Sequence, residues 1–158
     1  MTFFHFEHDF IKTLRCIPMS VRQKLDLSGV KLKLHQWGAF SLDQRQTLVT
    51  LPCTTATEIN HYREYLCQMI EITCQEPAKC FTPDRDPSWQ QGDHIPAEVR
   101  EKALQEGITL TLAFWQTLTP LQRFALVKLS RPSHENANFW PALTEFGWDL
   151  FPPDPGEN

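Results

Sequence analysis

The chain has 158 residues, a formal net charge of -4, 41% hydrophobic and 22% charged residues, the balance of an ordinary globular protein that can bury a core without disulfide or metal staples. It offers no basic footprint for a nucleic-acid backbone: the densest basic cluster is Lys31 and Lys33, alternating with Leu32 and Leu34, which reads as a solvated face. No apolar run approaches the roughly 18 residues of a membrane span.

The N-terminal stretch is aromatic, with Phe3, Phe4, Phe6 and Phe10 interleaved with His5, Glu7, His8 and Asp9. It lacks the basic segment and apolar segment of a secretory signal, so a cytoplasmic protein is expected. Its phenylalanines read as a terminal strand or helix docked on the core, or else as an apolar patch offered to a partner.

A first helix is expected from Pro18, placed at the first helical position where its missing N–H costs nothing, to Gly29, suited to the left-handed residue that ends a helix. Val30–Leu34 alternates apolar and polar residues and reads as a short extended connector, followed by a helical turn around Trp37. Ser41 and Gln44 form a capping box opening an amphipathic helix, with Leu48, Val49 and Leu51 facing inward. Thr55 and Glu58 cap a longer helix to about Thr73, with Ile59, Tyr62, Leu66 and Met69 or Ile70 on its apolar stripe. The stretch from 75 to 94 carries Pro77, Pro83, Pro87 and Gly92 and reads as a linker.

Beyond it the pattern returns. Ile17–Leu51 laid without a gap over Ile95–Leu129 aligns Ile17-Pro18 with Ile95-Pro96, Gly29 with Gly107, Trp37 with Trp115, and Gln44-Arg45 with Gln122-Arg123. Roughly two positions in five are identical, the mark of an internal repeat. Thr119 and Gln122 repeat the capping box, and Ser133 through Asn136 starts a matching last segment in which Pro141 must kink or restart the helix. The expected fold is therefore mainly α: a single domain over residues 1–151 built from two pseudo-twofold-related helical repeats (about 14–74 and 95–146). Residues 152–158 form a disordered tail.

Chemistry is harder to find. The five cysteines, Cys16, Cys53, Cys67, Cys74 and Cys80, are odd in number and irregularly spaced, which argues for reduced thiols. Cys74 and Cys80 would need a third ligand such as His61 or His94 to hold a metal, and no metal or cofactor is expected. Cys16 and Cys53 lie beside proline-marked helix boundaries, where a thiolate would be favoured; a thiol-based or small-molecule regulatory module is the alternative reading. Nothing brings Cys16, Cys53 or His134-Glu135 together as nucleophile and base, so the chain is not expected to be an enzyme. Trp37 and Trp115 read as core anchors, and Arg45 and Arg123 as makers of salt bridges or helix-end hydrogen bonds.

Three stretches carry a resemblance: Leu14 to Leu32, with Arg15-Cys16-Ile17-Pro18 and Val21-Arg22; Leu51-Pro52-Cys53-Thr54-Thr55 with Tyr62-Arg63; and Leu118 to Ser130, followed by His134-Glu135-Asn136. In these the chain resembles the nitrate reductase-associated protein family of cyanobacteria over about residues 3–146. The resemblance implies an accessory protein for assimilatory nitrate reductase, the ferredoxin-dependent molybdenum enzyme with an iron–sulfur cluster. It would act as maturation chaperone, stabilising subunit or aid to electron delivery. It supplies no catalytic residues. Interfaces concentrate their energy in aromatic and arginine side chains, which singles out Phe4, Phe6, Arg15, Trp89 and His134 as partner-binding candidates.

Overall fold

The computed structural model describes residues 3–10, 13–132 and 136–154. The chain is mainly helical and divides into two compact units, one of residues 1–3 and 7–85, the other of residues 4–6 and 86–158.

The first unit holds the 3-10 helix His5–Phe10 from Glu7 onward, then α1 (Met19–Ser28), α2 (Leu34–Ala39), α3 (Leu42–Thr50) and α4 (Ala56–Cys74). Their starts follow local chemistry. The Ser41 hydroxyl accepts from the Gln44 N–H at 3.1 Å while the Gln44 carbonyl oxygen accepts from Ser41 N–H at 2.8 Å. Thr55 and Glu58 do the same for α4, as a capping box requires. Pro18 departs from expectation by one place. It is the residue before the helix, with ψ 156°, and its carbonyl accepts from Val21 and Arg22. Its fixed φ suits either position, and the extended ψ turns the incoming chain away from the helix axis.

Gly29 ends α1 with φ 74°. The extended connector forms β1 (Val30–Lys31), paired antiparallel with β2 (Lys79–Cys80) in the register Val30 with Cys80 and Lys31 with Lys79. Beyond that ladder Phe81 N–H donates to the Gly29 carbonyl at 2.8 Å. The core of this unit gathers Val21 and Leu25 of α1, Trp37 of α2, Leu48 and Val49 of α3, and Tyr62, Leu66 and Ile70 of α4. Tyr62 also donates its hydroxyl to the Leu48 carbonyl at 2.9 Å, so its buried oxygen is satisfied.

The second unit begins with a 3-10 turn, Ser88–Gln90, and continues with α5 (Ala97–Gln105), α6 (Leu112–Thr117) and α7 (Pro120–Ser130). These three start 78 residues after α1, α2 and α3. Pro96, like Pro18, precedes its helix as the cap, and Gly107 has φ 78°. The second connector, Ile108–Thr111, forms no strand. A 3-10 turn, Asn136–Asn138, runs into α8 (Phe139–Phe146). Pro141 is the third residue of α8, where a backbone N–H would have no partner within the helix, so the proline marks a restart and not a kink. Ser133, His134 and Glu135 lie outside the described residues, as do residues 155–158 of the tail.

α7 is the centre of this unit and packs against the Ser88–Gln90 turn, α5 and α8. Arg123 through Val127, and Leu129, are all buried. In α3 only Leu48 and Val49 are. Two of the additional buried positions are substituted between the matched helices, Phe124 where α3 has Gln46 and Ala125 where it has Thr47, whereas Arg123 is more buried than Arg45 without any change of residue. The two substitutions make α7 apolar around most of its circumference, as a helix covered on several sides must be.

Candidate functional site

The residues matched between the two segments serve structure in each unit. Trp37 is fully buried and donates its indole N–H to the Leu14 carbonyl at 2.7 Å; Trp115 is fully buried and donates to Gln91 O at 2.9 Å. Arg45 donates to Trp37 O, Gly38 O, Thr13 O and Leu14 O. Arg123 donates to Trp89 O at 2.9 Å and lies so close to Gly92 that a Cβ there would meet its Nη1 at 2.8 Å. Each Trp–Arg pair thus ties down the segment that precedes the first helix of its unit. Arg45 meets the last turn of α2 through Trp37 O and Gly38 O, as the helix-end reading expects, whereas the Arg123 bond goes to the 3-10 turn Ser88–Gln90. Burial draws the Arg123 guanidinium below its ordinary pKa.

One consequence concerns Arg15. Leu14, buried at 1% exposure, has φ 48°, a region that branched and bulky residues avoid at a cost of about 1–2 kcal/mol. Its carbonyl is held by Trp37 and Arg45 together. The pinned turn leaves Arg15 exposed. Backbone strain kept in place by its surroundings is a feature of functional segments, and here it presents the one cation among the partner-binding candidates.

The other candidates fall elsewhere. Phe4 and Phe6 stack at 5.3 Å between ring centroids, and both meet Phe146 edge-on at 5.1 and 6.5 Å. Phe6 N–H donates to Glu145 at 3.2 Å. Phe4 and Phe6 are therefore docked on α8, with Phe4 buried and Phe6 half-buried, while Phe3 packs against the core of the first unit and the Phe10 side chain lies outside the described ones. Trp89 is 5% exposed, edge-on to Phe124 at 5.5 Å; it acts as a core residue under α7. His134 lies outside the described residues. The structure thus brings Phe4 and Phe6 together and leaves Arg15 on the surface of the other unit.

Two surface features escape reasoning from the sequence. Trp140 of α8 is 46% exposed and stands edge-on to Trp148 at 5.7 Å, with Leu150 76% exposed close by in the chain. Residues 139–154 hold Glu145, Asp149 and Asp154 and no Lys or Arg. The result is an aromatic and apolar surface, with Trp140 exposed and Trp148 half-buried, in an acidic stretch of the sequence. The Pro141 restart is the signal that could have found it, since it resets which residues of α8 face outward. The second feature is an open cleft of about 430 Å³ lined by Asp93, His94, Arg100, Leu104, Thr109 and Leu112. It adjoins a smaller one at Thr111, Leu112 and Phe151. His94 and Asp93 are hydrogen-bonded at 2.9 Å in its wall.

The thiols do not sit as the sequence suggests. Cys53 is buried, and burial pushes its pKa up to about 11; the favoured thiolate expected there is overturned, because desolvation outweighs the neighbouring Lys24. Cys74 points its sulfur at the Gln36 carbonyl, 4.0 Å away, while Cys80 faces Cys67 at 3.8 Å. The Cys74–Cys80 pairing weighed as metal ligands is therefore not formed. Among the described residues no group of three His, Cys, Asp or Glu is placed to hold a metal, and no helix is long and apolar enough to cross a membrane.

These features define a mainly helical protein with an aromatic surface, a strained turn and an open cleft among its described residues. The chain belongs to the conserved nitrate reductase-associated protein family, whose pattern it matches over residues 3–146. No curated protein and no solved structure matches it.

Proposed function

We propose that this protein is a cytoplasmic binding partner of assimilatory, ferredoxin-dependent molybdenum nitrate reductase. It acts as a maturation chaperone or stabilising subunit and not as an enzyme. Family membership across residues 3–146 carries this reading. The Trp140–Trp148 surface supports it, because tryptophans are among the side chains in which binding energy concentrates, and here an exposed one stands against a half-buried one. The buried thiol supports the non-catalytic part: burial pushes Cys53 up to about 11, leaving little thiolate there for nucleophilic work near neutral pH. We further read the two units as diverged copies of one helical unit, supported by the recurrence of three helices and of the Trp–Arg hydrogen bonds.

The test is a pull-down of the tagged protein from a nitrate-grown extract, with molybdenum and iron measured on the captured reductase. Metal-poor reductase is the outcome expected of a chaperone that releases its client once loaded. Fully loaded reductase is expected of a stable subunit. Absence of reductase from the captured material sinks the proposal.

A further inference from the structure

Cys67 and Cys80 come from different elements, α4 and β2, and are 13 residues apart in sequence. Their sulfurs lie 3.8 Å apart, where a disulfide needs about 2.05 Å. Cys80 is exposed, on a two-residue strand, and Cys67 is half-buried. Closing the gap asks for a side-chain rotation and a small shift of a short strand, without a rearrangement of the helices. Two of the other three thiols are engaged differently, Cys53 beside the Lys24 carbonyl and Cys74 beside the Gln36 carbonyl.

We propose that Cys67 and Cys80 form a thiol–disulfide modification site that takes a low-molecular-weight disulfide as oxidant and clamps β2 to α4. The steps balance as two exchanges. The Cys80 thiolate attacks one sulfur of the oxidant, forming a mixed disulfide and expelling one thiolate. The Cys67 thiolate then attacks Cys80 Sγ, forming the internal disulfide and expelling the second thiolate. Two protein thiols are oxidised, one disulfide is reduced to two thiols, and the two protons end on the leaving groups. Exposure assigns first attack to Cys80, because the oxidant can reach it. Cys67, with a pKa raised mainly by burial and by Cys80, acted on also by Arg63 and Glu71 of its own helix, is the resolving thiol. A clamp is useful at this point because the ladder it would secure has only two residue pairs, too few to be stable alone.

The experiment treats the reduced full-length protein with glutathione disulfide, alkylates the remaining thiols, and maps peptides without reduction. The wild type should yield a Cys67–Cys80 crosslink, with Cys16, Cys53 and Cys74 alkylated. Cys67→Ser should stop at glutathione on Cys80. Amide exchange at Phe81, whose N–H is bonded to the Gly29 carbonyl, should slow in the oxidised protein. Glutathione retained on wild-type Cys80 beside an alkylated Cys67, or a crosslink between a different pair, overturns the site. Unchanged exchange at Phe81 overturns the clamp. The wild-type mapping decides the site even where a serine variant fails to fold.

Discussion

Gly29 and Gly107 occupy matched places after α1 and α5, both with positive φ, yet they are not equivalent. A Cβ on Gly29 would stand 2.3 Å from the Phe81 backbone oxygen; one on Gly107 would meet nothing within 4 Å. Gly107→Ala should therefore cost only the conformational strain, about 1–2 kcal/mol, and Gly29→Ala about 1 kcal/mol or more beyond that, because β2 must move. Urea midpoints of the two variants check this, and equal losses would refute the close approach. Glu58 gives a second prediction at this scale. Backbone N–H groups of Thr54 and Thr55 hold its carboxyl below the usual carboxylate range. A depressed carboxylate stabilises the fold above its unfolded pKa, and that contribution disappears as pH falls through the folded value. Glu58→Gln should thus lower stability at neutral pH and flatten its decline between about pH 5 and pH 3. Parallel slopes for variant and wild type would remove the capping charge from the account. The caps and both glycines were legible in the sequence because each acts over three or four residues. The approach of Phe81 to Gly29 was not, since it joins positions about fifty apart.

The matched helices α3 and α7 show how an element's sequence reports its surroundings. Phe124 is fully buried, against Trp89 on one side and under the Lys128 ammonium at 5.3 Å on another; Gln46, its counterpart, is exposed. Phe124→Gln should cost about 3–5 kcal/mol, from lost burial and a cavity, with an amide left to find partners. Gln46→Phe should stay within about 0.5 kcal/mol of the parent. Thermal unfolding of both variants checks the contrast, and a cheap Phe124→Gln would mean that α7 is not the centre of its unit. Helix order and the short extended connectors followed from periodicity and caps, and a kink or restart at Pro141 from its missing N–H. The burial of Trp89 did not, because a tryptophan in a proline-rich stretch shows neither helical nor alternating spacing. Only the packing of α7 against the Ser88–Gln90 turn reveals its place. Lys24 is a similar case. It reaches from α1 to the Val49 and Leu51 carbonyls at 2.6 and 2.7 Å, a cap for α3 supplied by a distant residue and favoured by the negative end of that helix.

At the scale of the whole molecule, the question is which surface a partner uses. A pair of tryptophans in edge contact, one 46% exposed, leaves apolar area in water, and with acids near it in sequence such a surface would favour a partner with an apolar pocket and a basic rim. Alanine at both Trp140 and Trp148 should reduce capture of the reductase by tenfold or more, the loss that follows from removing about 2 kcal/mol of anchor contacts. It should leave helical content near the parent's, because Trp140 contributes little to the core. Arg15→Ala, on the pinned turn of the other unit, gives the comparison: a loss confined to that variant would move the interface to the strained turn. Capture should also weaken as salt is raised, since exposed charges around the anchors are screened over about 8–10 Å at physiological ionic strength. Salt-insensitive capture together with an intact double variant would exclude the tryptophan surface as the place where the reductase is held.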